Sequence, residues 1–227
     1  NPGTVFFGPA ARNHPYRQAG SDRPLQKAPY VSSKPKRHPS PLKRFEILEG
    51  LPAYGQMYIP ISENGIPFYN EGFVVRFYKT DGSVWVANFQ CGNTNFHAVL
   101  DYPIQNRIVV IAKGTCYIMT TENEVPLNSF GVGILNSYQT EDGFIILPAQ
   151  TDIFVLNIKN DEVWQSDRIS WDGLAELKFE NDTLTGLANE PTSDGDEWIS
   201  FSFNFRTKEL IGGTYSVEYK TPWWKFW

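Results

Sequence analysis

The sequence predicts an all-β protein of meandering antiparallel hairpins, arranged as a small or incomplete β-propeller or as a stacked β-sandwich. Three observations carry this. "WISFSFNF", Trp198 to Phe205, alternates Phe201, Phe203 and Phe205 with Ser200, Ser202 and Asn204, the period of two of a half-buried strand. "RIVVIA" and "GFIILPA" are instead continuously apolar and rich in β-branched residues, as strands covered on both faces are. Residues 106–123 and 142–159 align without gaps, placing Ile108 on Phe144, Val110 on Ile146, Thr115 on Thr151 and Ile118 on Phe154, so each copy reads strand, turn, strand.

In chain order, residues 1–45 come first and differ from the rest. They carry nine basic side chains against one acid, Asp22, a net charge of +8, and eight of the 16 prolines, with no sustained apolar periodicity. That composition predicts an extended basic arm or linker, with residues 46–227 forming the β domain. The whole chain is at −5, so the remainder holds −5 − 8 = −13. An acidic body argues against general nucleic-acid or anionic-membrane binding, and leaves the arm as the one segment suited to nucleic acid.

Within the β domain, turns punctuate the strands. "TDGSVW" at Thr80 to Trp85, "KNDEVW" at Lys159 to Trp164 and "SDGDEW" at Ser193 to Trp198 each put turn-forming residues just ahead of a Trp. Asp supplies a side-chain acceptor, Gly a positive φ, and the Trp is expected to anchor the strand that follows. "EVWQSDRI" is read as a strand, Asn181 and Asp182 as a hairpin turn, and "TYSVEY" as a further alternating strand with Tyr215, Val217 and Tyr219 on one face. Units of roughly 35 to 45 residues suit propeller blades or stacked hairpins alike. No apolar run approaches the ~20 residues of a membrane span, and a cytoplasmic protein with free, buried Cys91 and Cys116 is expected.

Side chains that carry chemistry are sparse in pattern. His14, His38 and His97 are scattered; only His97 lies near a cysteine, Cys91, with Asp101 as a conceivable third member of a dyad-based site. Glu190, Asp194, Asp196 and Glu197 read as one solvated acidic loop without the alternating ligands of an EF-hand. No metal site and no cofactor are expected. Asp167 and Asp172 are the carboxylate pair a glycan hydrolase would use, given a separation of about 5 to 9 Å across a cleft. "DRISWDG" joins Arg168, Trp171 and Asp172, residue types that either recognise partners or pack between sheets. Trp164 precedes it, and "TPWWKFW" gathers Trp223, Trp224, Phe226 and Trp227 into a cluster that either closes the domain or seeks a partner.

"VWQSDRISWDGLAEL", with "LTGLA", "EWISFSF" and "IGG" after it, resembles a W-x-S-x-R-I-S-W-D-G signature of uncharacterised bacterial β-rich proteins; it spans Val163 to Gly213. The resemblance implies that Trp164, the Arg168 to Gly173 turn, Gly186, Trp198 and Gly212 to Gly213 mark successive strands, and it implies no activity. The Asp-Gly turns are similar to the Asp box of sialidase-type propellers without that box's spacer. More loosely, the pattern resembles quinone-binding blades ending in Gly-x-x-x-Trp, whose repeated glycine and alanine positions are missing here.

The residues together predict a non-enzymatic binding protein with a protein partner, for instance one neutralising a basic partner such as a toxin domain. Arg168, Trp171, Asp172, Trp164, Trp223 and Trp224 are its candidate binding residues. A glycan-acting hydrolase using Asp167 and Asp172, and a structural subunit assembling through its basic arm and aromatic C-terminus, are the competing readings.

Overall fold

A computed structural model describes residues 43–55 and 57–215. Sixteen strands lie in these residues, and no helix. They form four sheets of four strands. Sheet 1 holds β1 (Phe45–Leu48), β2 (Ile59–Ile61), β3 (Phe73–Tyr78) and β4 (Val84–Phe89) in the order β1-β3-β4-β2, with β2 parallel to β4. The other three are plain antiparallel meanders. Sheet 2 is β5 (Ala98–Tyr102), β6 (Arg107–Ala112), β7 (Thr115–Met119) and β8 (Asn128–Phe130). Sheet 3 is β9 (Tyr138–Gln139), β10 (Phe144–Pro148), β11 (Ile153–Asn157) and β12 (Glu162–Gln165). Sheet 4 is β13 (Leu174–Glu180), β14 (Thr183–Thr192), β15 (Gly195–Asn204) and β16 (Glu209–Gly212).

The alternation of side chains decides which neighbour each strand faces. In β6, Ile108, Val110 and Ala112 pack with Phe77, Trp85 and Phe89 of sheet 1, while Val109 and Ile111 pack with Ile145 and Leu147 of sheet 3. In sheet 3, Ile146, Ile153 and Val155 turn the other way, onto Leu184, Phe201 and Phe203 of sheet 4. Three apolar layers therefore join sheet 1 to 2, 2 to 3 and 3 to 4. Among the described residues no such layer joins sheet 4 back to sheet 1. The architecture is all-β and propeller-like, an open succession of four blades.

Sheets 2 and 3 are covered on both faces, which explains why β6 after Arg107 and β10 are continuously apolar; β15 lies in the last sheet and keeps its alternation. The repeat is real but its register differs from the ungapped alignment by one residue. Ile108 faces the preceding sheet, as Ile145 does, whereas Phe144 and Ile146 face the following one. The matching pairs agree: Ile111↔Cys116 corresponds to Pro148↔Ile153, and Ala112↔Thr115 to the Ala149–Asp152 closure at 2.8 Å. The structural offset is 145 − 108 = 37, and a shift of one residue reverses every side chain.

The predicted hairpin at Asn181 and Asp182 is present: Glu180 pairs with Thr183, and both turn residues have positive φ, 48° and 63°. That is the geometry a two-residue hairpin requires. The strand expected over "EVWQSDRI" ends at Gln165, and Ser166 onward is a linker. Of "TYSVEY", only Thr214 and Tyr215 are described, and they are outside any strand.

The three Trp-bearing turns are not one device. In the first, Tyr78 pairs with Val84, and the five-residue loop closes by Lys79 N to Ser83 O at 2.8 Å, with Gly82 at φ 86°. Its Trp85 is 1% exposed and donates to the Thr121 carbonyl at 2.8 Å. In the second, Asn157 pairs with Glu162, and Asp161 takes the positive φ that Gly82 takes in the first. In the third, Thr192 pairs with Gly195 across only Ser193 and Asp194. The shorter turn reverses the parity, so Trp198 lies on the opposite face from Phe201 and is 45% exposed. The expectation that this Trp anchors a core therefore fails for Trp198.

Along one end of the stack the linkers between sheets make a continuous hydrogen-bonded rim. Gly92, Asn93 and Thr94 donate to the carbonyls of Ala112, Val132 and Lys113; Ile134 and Leu135 donate to Gly114 and Pro148; Ile169 and Trp171 donate to Thr151 and Asn189. Each linker is thus tied to the hairpin turns it passes. Gly92 is required there, because a Cβ would sit 2.4 Å from the Val132 carbonyl oxygen.

Where the chain enters the body, Lys43 bonds Glu46 at 2.9 Å and Arg44 bonds Asp101 and Asn106. The last two basic residues of the 1–45 segment thus pair with the β domain.

Candidate functional site

The feature that departs from the regular blade plan lies on that rim, in sheet 4. β14 and β15 pair over ten residues each, whereas β13 pairs with β14 only as far as Ala188 and β16 with β15 only from Phe201 to Asn204. Asn189 still bonds Gly173 and Trp171, and Ser200 still accepts from Gly213, so the part that projects as a two-stranded ribbon paired only with itself is Glu190–Thr192 and Gly195–Ile199. Residues 191–200 are all exposed.

The ribbon holds Glu190, Asp194, Asp196 and Glu197 and no basic residue. The expectation of one loop holds only for Asp194, in the turn; the other three stand on paired strands, Glu190 opposite Glu197 and Asp196 opposite Pro191. Like charges facing each other cost stability, and such charges with a proline also keep an open edge from pairing with another strand. The turn itself is local chemistry: Gly195 has φ 133°, and the Thr192 hydroxyl donates to the Gly195 carbonyl at 2.6 Å. Ile199, 39% exposed, adds an apolar side chain to the face opposite Trp198.

At the base of the ribbon stands the turn of Arg168, Trp171 and Asp172. Arg168 donates from Nε to the Ser170 carbonyl at 2.8 Å and from Nη2 to the Trp171 carbonyl at 2.6 Å. Its guanidinium also lies over the rings of Trp171 and Tyr215, at 5.5 and 5.3 Å. Beneath it, the buried Ser170 hydroxyl contacts the carbonyls of Gly173 and Asn189, and Thr214 donates to Asn189 as well. This network fixes Trp171 at 37% exposure beside Asp172, where both share a shallow hollow with Glu190 and Pro191.

The other predicted site residues are elsewhere. Trp164 belongs to the layer between sheets 3 and 4, parallel to Phe203 with ring centroids 5.5 Å apart, and the Lys208 ammonium is 4.5 Å from its ring centre. Burial pushes the Lys208 amine below its usual range, the nearby Glu162 opposing that shift. Trp223 and Trp224 lie outside the described residues. Asp167 and Asp172, on either side of the Arg168–Trp171 turn, are exposed. The His97 ring packs on Phe73 at 5.3 Å, with Nδ1 3.3 Å from the Asn95 carbonyl, and Cys91 and Cys116 are free thiols.

No family model matches this sequence, and no curated protein is similar to it. Solved structures are similar over part of the fold. A computationally designed protein, Ika4, is 14% identical with a TM-score of 0.35, the match covering 55% of this chain and 78% of that one. The WD40 repeats of RRP9 are 11% identical with a TM-score of 0.35, covering 56% of this chain and 44% of theirs. The N-terminal domain of Nup159 is 12% identical with a TM-score of 0.35, covering 79% and 53%. The match thus spans about half the length of the latter two.

Chemically, a projecting acidic ribbon with Trp198 and Ile199 near its base, beside Trp171, combines long-range attraction for cations with apolar area for close contact. Sequence reasoning found Trp171 and Asp172 but not the ribbon. A signal was present in the ten-residue strands about a two-residue turn, where the other blades have strands of two to six. Among the described residues no helix is long and apolar enough to cross a membrane.

Proposed function

We propose that this chain is a non-enzymatic binding module that holds a basic protein partner against the acidic ribbon and the Trp171 turn of sheet 4. The observation that supports this most is the ribbon itself. Its strands pair only with each other and carry facing carboxylates, Glu190 opposite Glu197, a charge that a basic partner would neutralise. Trp198, Ile199 and Trp171 supply the large contact area that short-range binding needs. Neutralisation of a basic partner such as a toxin domain is one concrete form of this activity.

The test is a pull-down from source lysate with the full chain and a Glu190→Lys, Asp196→Lys, Glu197→Lys variant, at low and high salt, with mass spectrometry of the retained proteins. A basic protein retained by the natural chain at low salt, and lost both at high salt and in the variant, is the expected result. Equal retention by both chains rejects the ribbon as the site. The hydrolase reading has its own discriminating result: glycan cleavage abolished by Asp172→Asn with unchanged folding.

A further inference from the structure

Where sheets 2 and 3 meet, the same rim opens into a cleft of about 430 Å³. One wall is apolar: Phe130 and Phe154 lie with ring centroids 5.2 Å apart, next to Val132. The loop carrying this wall follows β8 closely because Gly131 adopts φ 68°, and a Cβ there would come within 3.3 Å of Phe154 Cε2. The polar lining contributes two carboxylates, Glu63 and Asp152.

Asp152 is half-buried. Its Oδ2 accepts from Gln165 Nε2 at 2.6 Å, and among the described residues no lysine or arginine bonds to it. Arg168 is the cation that acts on it through space, yet that guanidinium is engaged by the Ser170 and Trp171 carbonyls. Burial pushes the Asp152 carboxyl above its usual range, against the Gln165 hydrogen bond and Arg168. A partly desolvated carboxylate held by one amide, in a cleft lined also by aromatic rings, favours a cation with a flat face.

We propose that this cleft receives an arginine side chain of a protein partner, its guanidinium bonding Asp152 and lying against Phe130. The guanidinium fits better than an ammonium because its planar fork meets a carboxylate edge-on while its face stacks on an aromatic ring. A volume of this size holds one long side chain with its flanking backbone. The inference rests on the reading of a basic partner, but on a surface separate from the ribbon.

The experiment is an NMR titration of the full chain with N-acetyl-arginine amide. N-acetyl-citrulline amide serves as the neutral analogue and N-acetyl-lysine amide as the ammonium analogue. Saturable shifts at the Gly131 and Gly133 amides and the Gln165 side-chain amide are expected with arginine only. Asp152→Asn, with its spectrum otherwise unchanged, should weaken binding at least about tenfold. Equal shifts with citrulline, or unweakened binding by a folded Asp152→Asn chain, overturn the proposal; equal binding of lysine overturns the choice of guanidinium. The triple ribbon variant should still bind arginine here even if it loses its protein partner, so the two ideas fail separately.

Discussion

Trp164 of sheet 3 lies parallel to Phe203 of sheet 4, their planes 5° apart, and the Lys208 ammonium stands over the Trp164 ring. The contact joins two blades through one aromatic pair and one cation. Truncation of Trp164 to alanine removes a large, partly buried surface and the stacking with it, so a loss of about 2 to 3 kcal/mol is expected in urea unfolding. Lys208→Met keeps the aliphatic stem and removes the charge, and should cost less, about 0.5 to 1 kcal/mol. Equal losses would mean that the ring is held by the cation and not by the sheet.

Trp85 and Trp198 follow their glycines by the same three residues and should respond in opposite ways. Trp85→Phe leaves the buried Thr121 carbonyl without its indole donor, for an expected loss of about 1 to 3 kcal/mol. Trp198→Ala should stay within about 0.5 kcal/mol in the same assay, since its ring stands on the ribbon in water. If Trp198 contacts the partner, that variant loses partner retention in the pull-down while its unfolding midpoint is unchanged.

Gly72→Ala tests the packing of the two inner strands of sheet 1, β3 and β4. A Cβ at this position would fall 1.9 Å from the Phe89 carbonyl oxygen, a backbone atom that cannot rotate away. Its amide also donates to Asn88 Oδ1 at 2.8 Å, which ties the two strands at that point. The alanine variant should be strongly destabilised, by about 3 kcal/mol or more, read as a fall in thermal midpoint of roughly 10 °C. Gly55→Ala is the control: no atom lies within 4 Å of its Cβ position, so only the strain of φ 106° is felt.

The strands were legible in the sequence and their facing was legible only in part. β15 alternates, so Phe201 and Phe203 could be assigned to one face before any coordinates. β6 and β10 do not alternate, because both faces are covered, and nothing in "RIVVIA" or "FIILP" tells Ile108 from Val109. The aligned register was accordingly one residue short. The ribbon was hidden for a related reason: Glu190 and Asp196 look like loop residues by composition, and only the pairing of Glu190 with Glu197 and of Pro191 with Asp196 about the Ser193–Asp194 turn makes them strands. The rim was beyond reach, since its bonds are backbone bonds that most side chains allow, and the one glycine it requires, Gly92, is not distinguishable in sequence from a turn glycine.

Glu46 carries the clearest pH signature. Its carboxylate takes Lys43 at 2.9 Å and both Arg76 and Tyr78 at 2.8 Å, joining the entry segment to β3. The Lys43 hydrogen bond, then that of Tyr78, hold its carboxyl at about 2, below the ordinary value of 4.5. A carboxyl depressed on folding stabilises the fold fully above its unfolded value, and that contribution is lost as pH falls from about 4.5 toward 2. Carbon-detected NMR should therefore find the Glu46 midpoint well below those of unpaired glutamates. Glu46→Gln should lower stability at neutral pH and flatten the acid limb of the stability curve over that window. The exposed surroundings make the effect sensitive to salt, so raising ionic strength should narrow the difference between the two chains. An acid limb of unchanged steepness in the variant would place the acid sensitivity elsewhere, with Asp142, also held at about 2 by Arg206 and Thr140, the next carboxylate to replace.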